Sequence, residues 1–174
     1  KISGEEYEKI SPFSLKKTPF AKDCYHIDVE KVGWHAHHFA GLIYSQEPTA
    51  SSAAPMLDIP EGEKVLDLCS APGGKGTQCA AYLKGTGLIV LNEPIPSRAH
   101  VLLSNVERMG IKNAVVFNEY PDTLAEFFGE YFDKILVDAP CSGEGMFRKN
   151  AEEALKEWSE ENVALCAARQ KEIL

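Results

Sequence analysis

No two cysteines in this chain stand at the C-x-x-C spacing, and the five present (Cys24, Cys69, Cys79, Cys141 and Cys166) are odd in number and scattered. That pattern argues against a disulfide framework and against structural zinc, and it leaves at least one thiol reduced. No window approaches the roughly 18 consecutive apolar residues of a membrane span. The N-terminal stretch from Lys1 also lacks the apolar centre of a secretion signal. A cytoplasmic protein with no membrane partner is therefore the expectation. Basic residues are scarce too: 18 Lys and Arg stand against 26 Asp and Glu, for a net charge of -8. Taken alone, this deficit speaks against a nucleic-acid partner, because phosphate binding is driven largely by Lys and Arg.

What remains is enough for one domain with a core, since 44% of the 174 residues are apolar. From Lys64 onward, short apolar runs alternate with helical stretches, uninterrupted by repeats or low-complexity sequence. "KVLDLCSA", "LIVLNE", "AVVFN" and "FDKILVD" read as strands. "GTQCAAYL", "SRAHVLLSNVERMG" and "DTLAEFFG" read as the helices between them. The apolar runs are continuous rather than alternating, which predicts strands covered on both faces. Asn150 with Glu153 has capping-box spacing and starts a helix through Trp158. Ser159 caps the next, with Val163, Cys166, Ala167 and Ile173 along one face. The fold class is α/β, an open and mostly parallel sheet with helices on both sides. Residues 1–60 form an extension packed on the core, and 61–174 form the core itself. The chain ends inside a helix where an alternating sheet should continue, so it reads as a fragment truncated before its last strands.

In such sheets ligands bind beyond the carboxyl ends of the strands, where Cys69, Glu93 and Cys141 fall. "VLDLCSAPGGKGT" joins the first strand to the first helix with small residues that let a ligand approach the backbone. A P-loop with its lysine at Lys75 would need glycine in place of Cys69 and Ser or Thr in place of Gly76. The dinucleotide pattern G-x-G-x-x-G is absent as well. Glu93 ends the second strand, 18 residues after Lys75, where an acid commonly holds ribose hydroxyls. Asn118 ends the third, at a position suited to adenine. Together these point to an adenosine-containing cofactor, with S-adenosylmethionine and a nicotinamide both still open.

Cys141 follows the fourth strand in "ILVDAPCSGEGMFRK". A packing cysteine would sit inside the apolar run, not after it. Carbon 5 of cytosine is a weak nucleophile, and adding a thiolate to carbon 6 makes it enamine-like and able to accept a methyl group. That chemistry needs a cysteine near the methyl donor. An amino-group methylase would carry an Asp/Asn-Pro-Pro-aromatic turn here, whereas this chain has Asp138-Ala139-Pro140-Cys141.

These residues resemble the Sun/RsmF family of RNA (cytosine-5)-methyltransferases. The resemblance runs from about Gly41 to the end and rests on "YSQEPTAS", "LDLCSAPGGKGTQ", "ILVDAPCSGEGMFRK" and "LKEWS". "SGEGMFRK" looks most like the bacterial branch that modifies small-subunit (16S) ribosomal RNA. The resemblance implies a Rossmann-like methyltransferase fold with S-adenosylmethionine as cofactor and RNA as partner. It implies that Cys69, Ser70, Ala71, Pro72, Gly73, Gly74 and Lys75 cradle the methionine end and that Glu93 holds the ribose. Asp138 would sit near the sulfonium and contact the target base. The family uses two cysteines: one in a Pro-Cys motif that helps release product, and a covalent nucleophile in a Thr-Cys motif after the next strand. Cys141 matches the first. No Thr-Cys occurs in these residues, so the chain is expected to bind cofactor without completing methylation by itself. One departure is Tyr120, where the family often has an acid two residues after the Asn118 position.

Missing flanks that hold the basic surface would answer the charge objection. Within the chain, Arg148, Lys149, Lys16, Lys17 and Lys22 are the candidates for phosphate contact. A transfer-RNA methylase of the same chemistry, a non-catalytic cofactor-binding assembly factor and a nicotinamide dehydrogenase are the rival readings. His35, His37 and His38 lack ligand-spaced partners and read as a polar turn, with no metal site expected. Cys24, Cys79 and Cys166 read as apolar fillers. Arg98 and Asn105 read as loop braces and Phe147 as a loop anchor.

Overall fold

The computed structural model describes residues 2–147 and 151–174. Short elements come first: α1 (Gly4–Ile10), the antiparallel pair β1 (Leu15–Lys17) and β2 (Tyr25–Ile27), α2 (Ala36–Phe39) and α3 (Ala53–Met56). Ser3 starts α1 with a complete capping box, its side chain accepting from Glu6 N while the Glu6 carboxylate accepts from Ser3 N. The alternating part follows as β3 (Lys64–Asp67), α4 (Gly74–Tyr82), β4 (Leu88–Asn92), α5 (Pro96–Arg108), β5 (Ala114–Phe117), α6 (Pro121–Phe128) and β6 (Lys134–Leu136). Two more helices, α7 (Ala151–Glu157) and α8 (Glu160–Ile173), complete the order. Pro96 and Pro121 each open a helix, where a missing N–H costs nothing and a fixed φ suits the first turn.

The four core strands are parallel and lie in the order β5-β4-β3-β6. The chain steps outward from β3 to β5, then returns to the other side of β3. The reversal leaves a crevice at the carboxyl ends of β3 and β6, where α4 leaves β3 into one core cluster and Ile173 of α8, beyond β6, joins the other.

Side-chain alternation divides the core between the two faces of the sheet. Val65, Ile89 and Leu91 pack with Cys79, Leu83, Leu102 and Val106 from α4 and α5. Leu66, Leu68 and Val90 pack with Leu124 of α6 and with Phe117, Phe128 and Phe132. Both faces of the central strands β3 and β4 are thus covered, but the edge strands fall short of the expectation, with Val115 of β5 and Ile135 of β6 exposed. Ala54 and Ile59 belong to the first of these clusters, so the segment before β3 contributes to the core of the sheet.

α8 departs from the expected apolar face. Cys166 is buried and Ile173 half-buried, but Val163 and Ala167 are exposed. The helix meets the body along one narrow line, pinned by a 2.9 Å hydrogen bond from Gln170 Nε2 to Pro140 O. The capping role assigned to Asn150, and the phosphate contacts assigned to Arg148 and Lys149, lie outside the described residues.

Polar side chains tie the strand tips together. Asn92 is fully buried; its Nδ2 donates to Leu68 O at 3.1 Å and to Glu119 O at 2.9 Å. Its Oδ1 accepts from Glu119 N at 3.1 Å. One side chain at the end of β4 therefore fixes the loops leaving both neighbouring strands.

Candidate functional site

Asp67 ends β3, and the chain then turns through residues 68–73 into the first turn of α4. That turn lies almost on top of the strand end. A side chain at Gly76 would collide with Leu91 Cδ2 and come within 2.6 Å of Ser70 Oγ and 2.8 Å of Asp67 Oδ2. This is why the Ser or Thr of a P-loop has no place here.

Tyr44, Ser45, Gln46, Glu47 and Ala50 form one wall of a cleft of about 230 Å³, and Asp67, Cys69–Pro72, Gly74, Lys75 and Asp138 form the rest. Seven of the residues expected to touch the cofactor meet in this cleft: Cys69, Ser70, Ala71, Pro72, Gly74, Lys75 and Asp138. Lys75 Nζ is paired with Asp138 Oδ2, which joins the turn after β3 to the turn after β6. Gly73, Glu93, Asn118 and Cys141 are not among the lining residues. Cys141 is exposed, three residues beyond Asp138.

Glu93 stands at the next strand tip and is 1% exposed. Its Oε1 accepts from Ile95 N at 3.1 Å, and its Oε2 lies 3.2 Å from Arg98 Nη1 without a hydrogen bond of its own. Arg98 Nη2 donates to Ala71 O at 2.9 Å, and Asn105 Nδ2 donates to Pro72 O at 2.9 Å. Both residues brace the glycine turn, as expected. Asn118 Nδ2 donates to Glu93 O at 2.7 Å, so its amide group supports the neighbouring tip.

The carboxyl of Asp67 is 1% exposed, and its Oδ1 has no hydrogen-bond partner among the described residues. Burial and the nearby Asp138 charge push its pKa up to about 7, against the opposing pull of Ser70 and Lys75. Burial also raises the Cys69 thiol to about 11, helped by Asp67, Glu93 and Asp138. A thiol held this high is not a nucleophile near neutrality, so Cys69 contributes shape and backbone. Cys79 is buried in the core, its thiol pushed up to about 12 mainly by burial. The histidines pack locally: His35 Nδ1 accepts from His37 N at 3.2 Å, and His37 Nδ1 lies 3.1 Å from the Tyr7 hydroxyl. Lys16 and Lys17 lie on β1, and Lys17 is 3.2 Å from Glu8. No helix among the described residues is long and apolar enough to cross a membrane.

Sheet order, the glycine turn and the acids around it together describe the cofactor domain of a Rossmann-like methyltransferase, a class that uses S-adenosylmethionine. The residues fit that group. No side chain fits at Gly76, which keeps the turn open to close approach, and the buried carboxylates of Asp67 and Glu93, each with an oxygen that makes no hydrogen bond, have the chemistry to meet a cationic centre and hydroxyls.

The chain belongs to the 16S rRNA methyltransferase RsmB/F family, whose sequence profile matches residues 54–174. It is 39% identical over 183 residues to the ribosomal RNA small subunit methyltransferase F of Vibrio vulnificus (strain YJ016), covering 100% of this chain and 39% of that protein. The chain thus spans about two fifths of the length of that relative. Among solved structures, PH0851 superposes with a TM-score of 0.87 at 29% identity, over 97% of this chain and 39% of that one. A methyltransferase homolog protein from Pyrococcus horikoshii gives 0.74 at 31% identity, over 88% of this chain and 52% of that one.

Sequence reasoning missed the Tyr44–Ala50 wall as part of the site, although "YSQEPTAS" was already part of the resemblance. It also passed over Asp67, whose signal was an acid closing an otherwise apolar strand.

Asp67 makes stability depend on pH. The folded state holds its proton up to about 7, while the unfolded chain releases it near the ordinary value of 3.8. Between those values the folded state binds more protons, so stability falls as pH rises, and the loss is complete above the folded pKa. Replacing Asp67 by Asn removes this component. In urea titrations, wild-type stability relative to Asp67→Asn should decline from pH 4 to 7 and then level off. A difference that stays constant across that window contradicts the assignment.

Proposed function

We propose that these residues form the S-adenosylmethionine-binding part of a cytoplasmic RNA (cytosine-5)-methyltransferase that acts on 16S ribosomal RNA. The cofactor supplies a methyl group made electrophilic by its positively charged sulfur. In this reading Cys69–Lys75 receive its methionine end, Glu93 accepts from the ribose hydroxyls, and Asn118 adjoins the adenine. Asp138 hydrogen-bonds the polar edge of the target cytosine, which must leave its stack to reach the methyl group. Cys141 helps release the methylated product.

The observation that carries the cofactor assignment is Glu93. A fully buried carboxylate, oriented by Ile95 N and ion-paired with Arg98, stands at the strand tip beside the glycine turn with one oxygen that makes no hydrogen bond. Acids around the turn also favour a cationic sulfonium over the pyrophosphate of a nicotinamide dinucleotide. The choice of carbon 5 is supported by the Asp138-Ala139-Pro140-Cys141 turn. The choice of small-subunit ribosomal RNA is supported by the name of the Vibrio relative.

Calorimetry with S-adenosylhomocysteine tests the cofactor reading. The wild type should bind, and Glu93→Gln should weaken binding roughly 10- to 100-fold, the range for losing hydrogen bonds to a charged group. Equal affinity in the two proteins, or tighter binding of NAD, contradicts it. The catalytic reading makes a separate demand. These 174 residues contain no Thr-Cys pair, so incubation with unmodified ribosomal RNA and labelled cofactor should yield no methylated cytosine. Robust turnover would show that the nucleophile has been misassigned.

A further inference from the structure

The two walls of the cleft come from distant parts of the chain, and Arg108 is one of the side chains that join them. Arg108, the last residue of α5, donates from Nη1 to His38 O at 2.7 Å and to Ile43 O at 3.2 Å. Its Nε and Nη2 donate to Asn105 Oδ1 at 3.3 and 3.1 Å. Its guanidinium carbon lies 5.7 Å from the centre of the Tyr44 ring. Asn105 in turn donates to Pro72 O at 2.9 Å. An unbroken path therefore runs from the glycine turn, through Asn105 and Arg108, to the segment that begins at Ile43.

That segment sits directly on the first turn of α4. A side chain at Gly74 would come within 2.8 Å of Gln46 Oε1 and 3.1 Å of Tyr44 Cε1. Gln46 Nε2 donates to Gln78 Oε1 at 3.2 Å, and Gln78 Nε2 donates to Ser51 O at 2.8 Å. Tyr44 and Gln46 both line the cleft. Gln78 and the buried Ala54 hold the segment on its far side. On its near side the guanidinium supplies the restraint, donating to the carbonyls of His38 and Ile43 just before the strap and to the residue that grips the opposite wall.

We propose that Arg108 and Asn105 are positioning residues that lock the Tyr44–Gln46 strap onto the glycine turn, so that cofactor affinity depends on a pair that does not touch the cofactor. The strap is then pre-organised before the ligand arrives, and binding does not bear the entropy of ordering it. The inference rests on the reading of this cleft as the S-adenosylmethionine site.

The test is S-adenosylhomocysteine affinity by calorimetry, with thermal melting measured on the same samples. Arg108→Met should bind about 10-fold more weakly than wild type while still melting cooperatively. Arg108→Lys, which reaches one carbonyl but cannot fork to three acceptors, should recover part of that loss. Asn105→Ala is the milder variant should Arg108→Met fail to fold, and a loss of about threefold is expected from cutting the link to Pro72 alone. The decisive readout is a double-mutant cycle with Tyr44→Ala: if Arg108 acts through the strap, the two losses are markedly less than additive. Wild-type affinity in folded Arg108→Met and Asn105→Ala, or fully additive losses, overturns the proposal while leaving the cofactor reading intact. A wild type that does not bind S-adenosylhomocysteine overturns both.

Discussion

The first turn of α4 approaches the end of β3 so closely that no side chain fits between them. Asp67, Ser70 and Leu91 already fill the space a residue larger than Gly76 would need. Everything else at the carboxyl edge follows from that approach. It brings backbone N–H groups and the buried Asp67 carboxyl to the floor of one cleft. It also turns Lys75 outward to meet Asp138 from the neighbouring strand. The sheet order supplies the crevice, and the close packing of turn on strand gives the crevice its shape.

The tips of the strands are held by side chains rather than by the ladder. Asn92 fixes the loops after β3 and β5, Arg98 ties Glu93 to Ala71, and Asn105 holds Pro72. Each spends a side-chain donor on a backbone carbonyl or carboxylate at a strand tip, where unpaired groups are costly. Asp67 Oδ1 and Glu93 Oε2, by contrast, lack hydrogen bonds of their own. These two oxygens still have hydrogen-bonding capacity to offer a ligand.

Much of this was legible in the sequence. Continuous apolar runs marked the four parallel strands and their order of appearance. The glycine turn was recognisable from residue type and place, while Lys75 and Asp138 were singled out by the family resemblance; the structure brings all three into one cleft. The missing pieces are those that sequence distance hides. Tyr44 and Gln46 come from a segment with no periodic pattern, and only the folded chain sets them against Gly74. Arg108 carries no local pattern that announces its role, since it reaches back 70 residues to the carbonyl of His38. The expected face of α8 was overestimated because helical spacing identifies which residues share a side, not whether anything covers them.

A crystal structure of this chain soaked with S-adenosylhomocysteine tests the central claim most directly. The account requires the ribose hydroxyls on Glu93 and the amino-acid end against Cys69–Lys75, with Tyr44 and Gln46 closing over it. Density for the ligand at any other edge of the sheet, or a ribose turned away from Glu93, would contradict it.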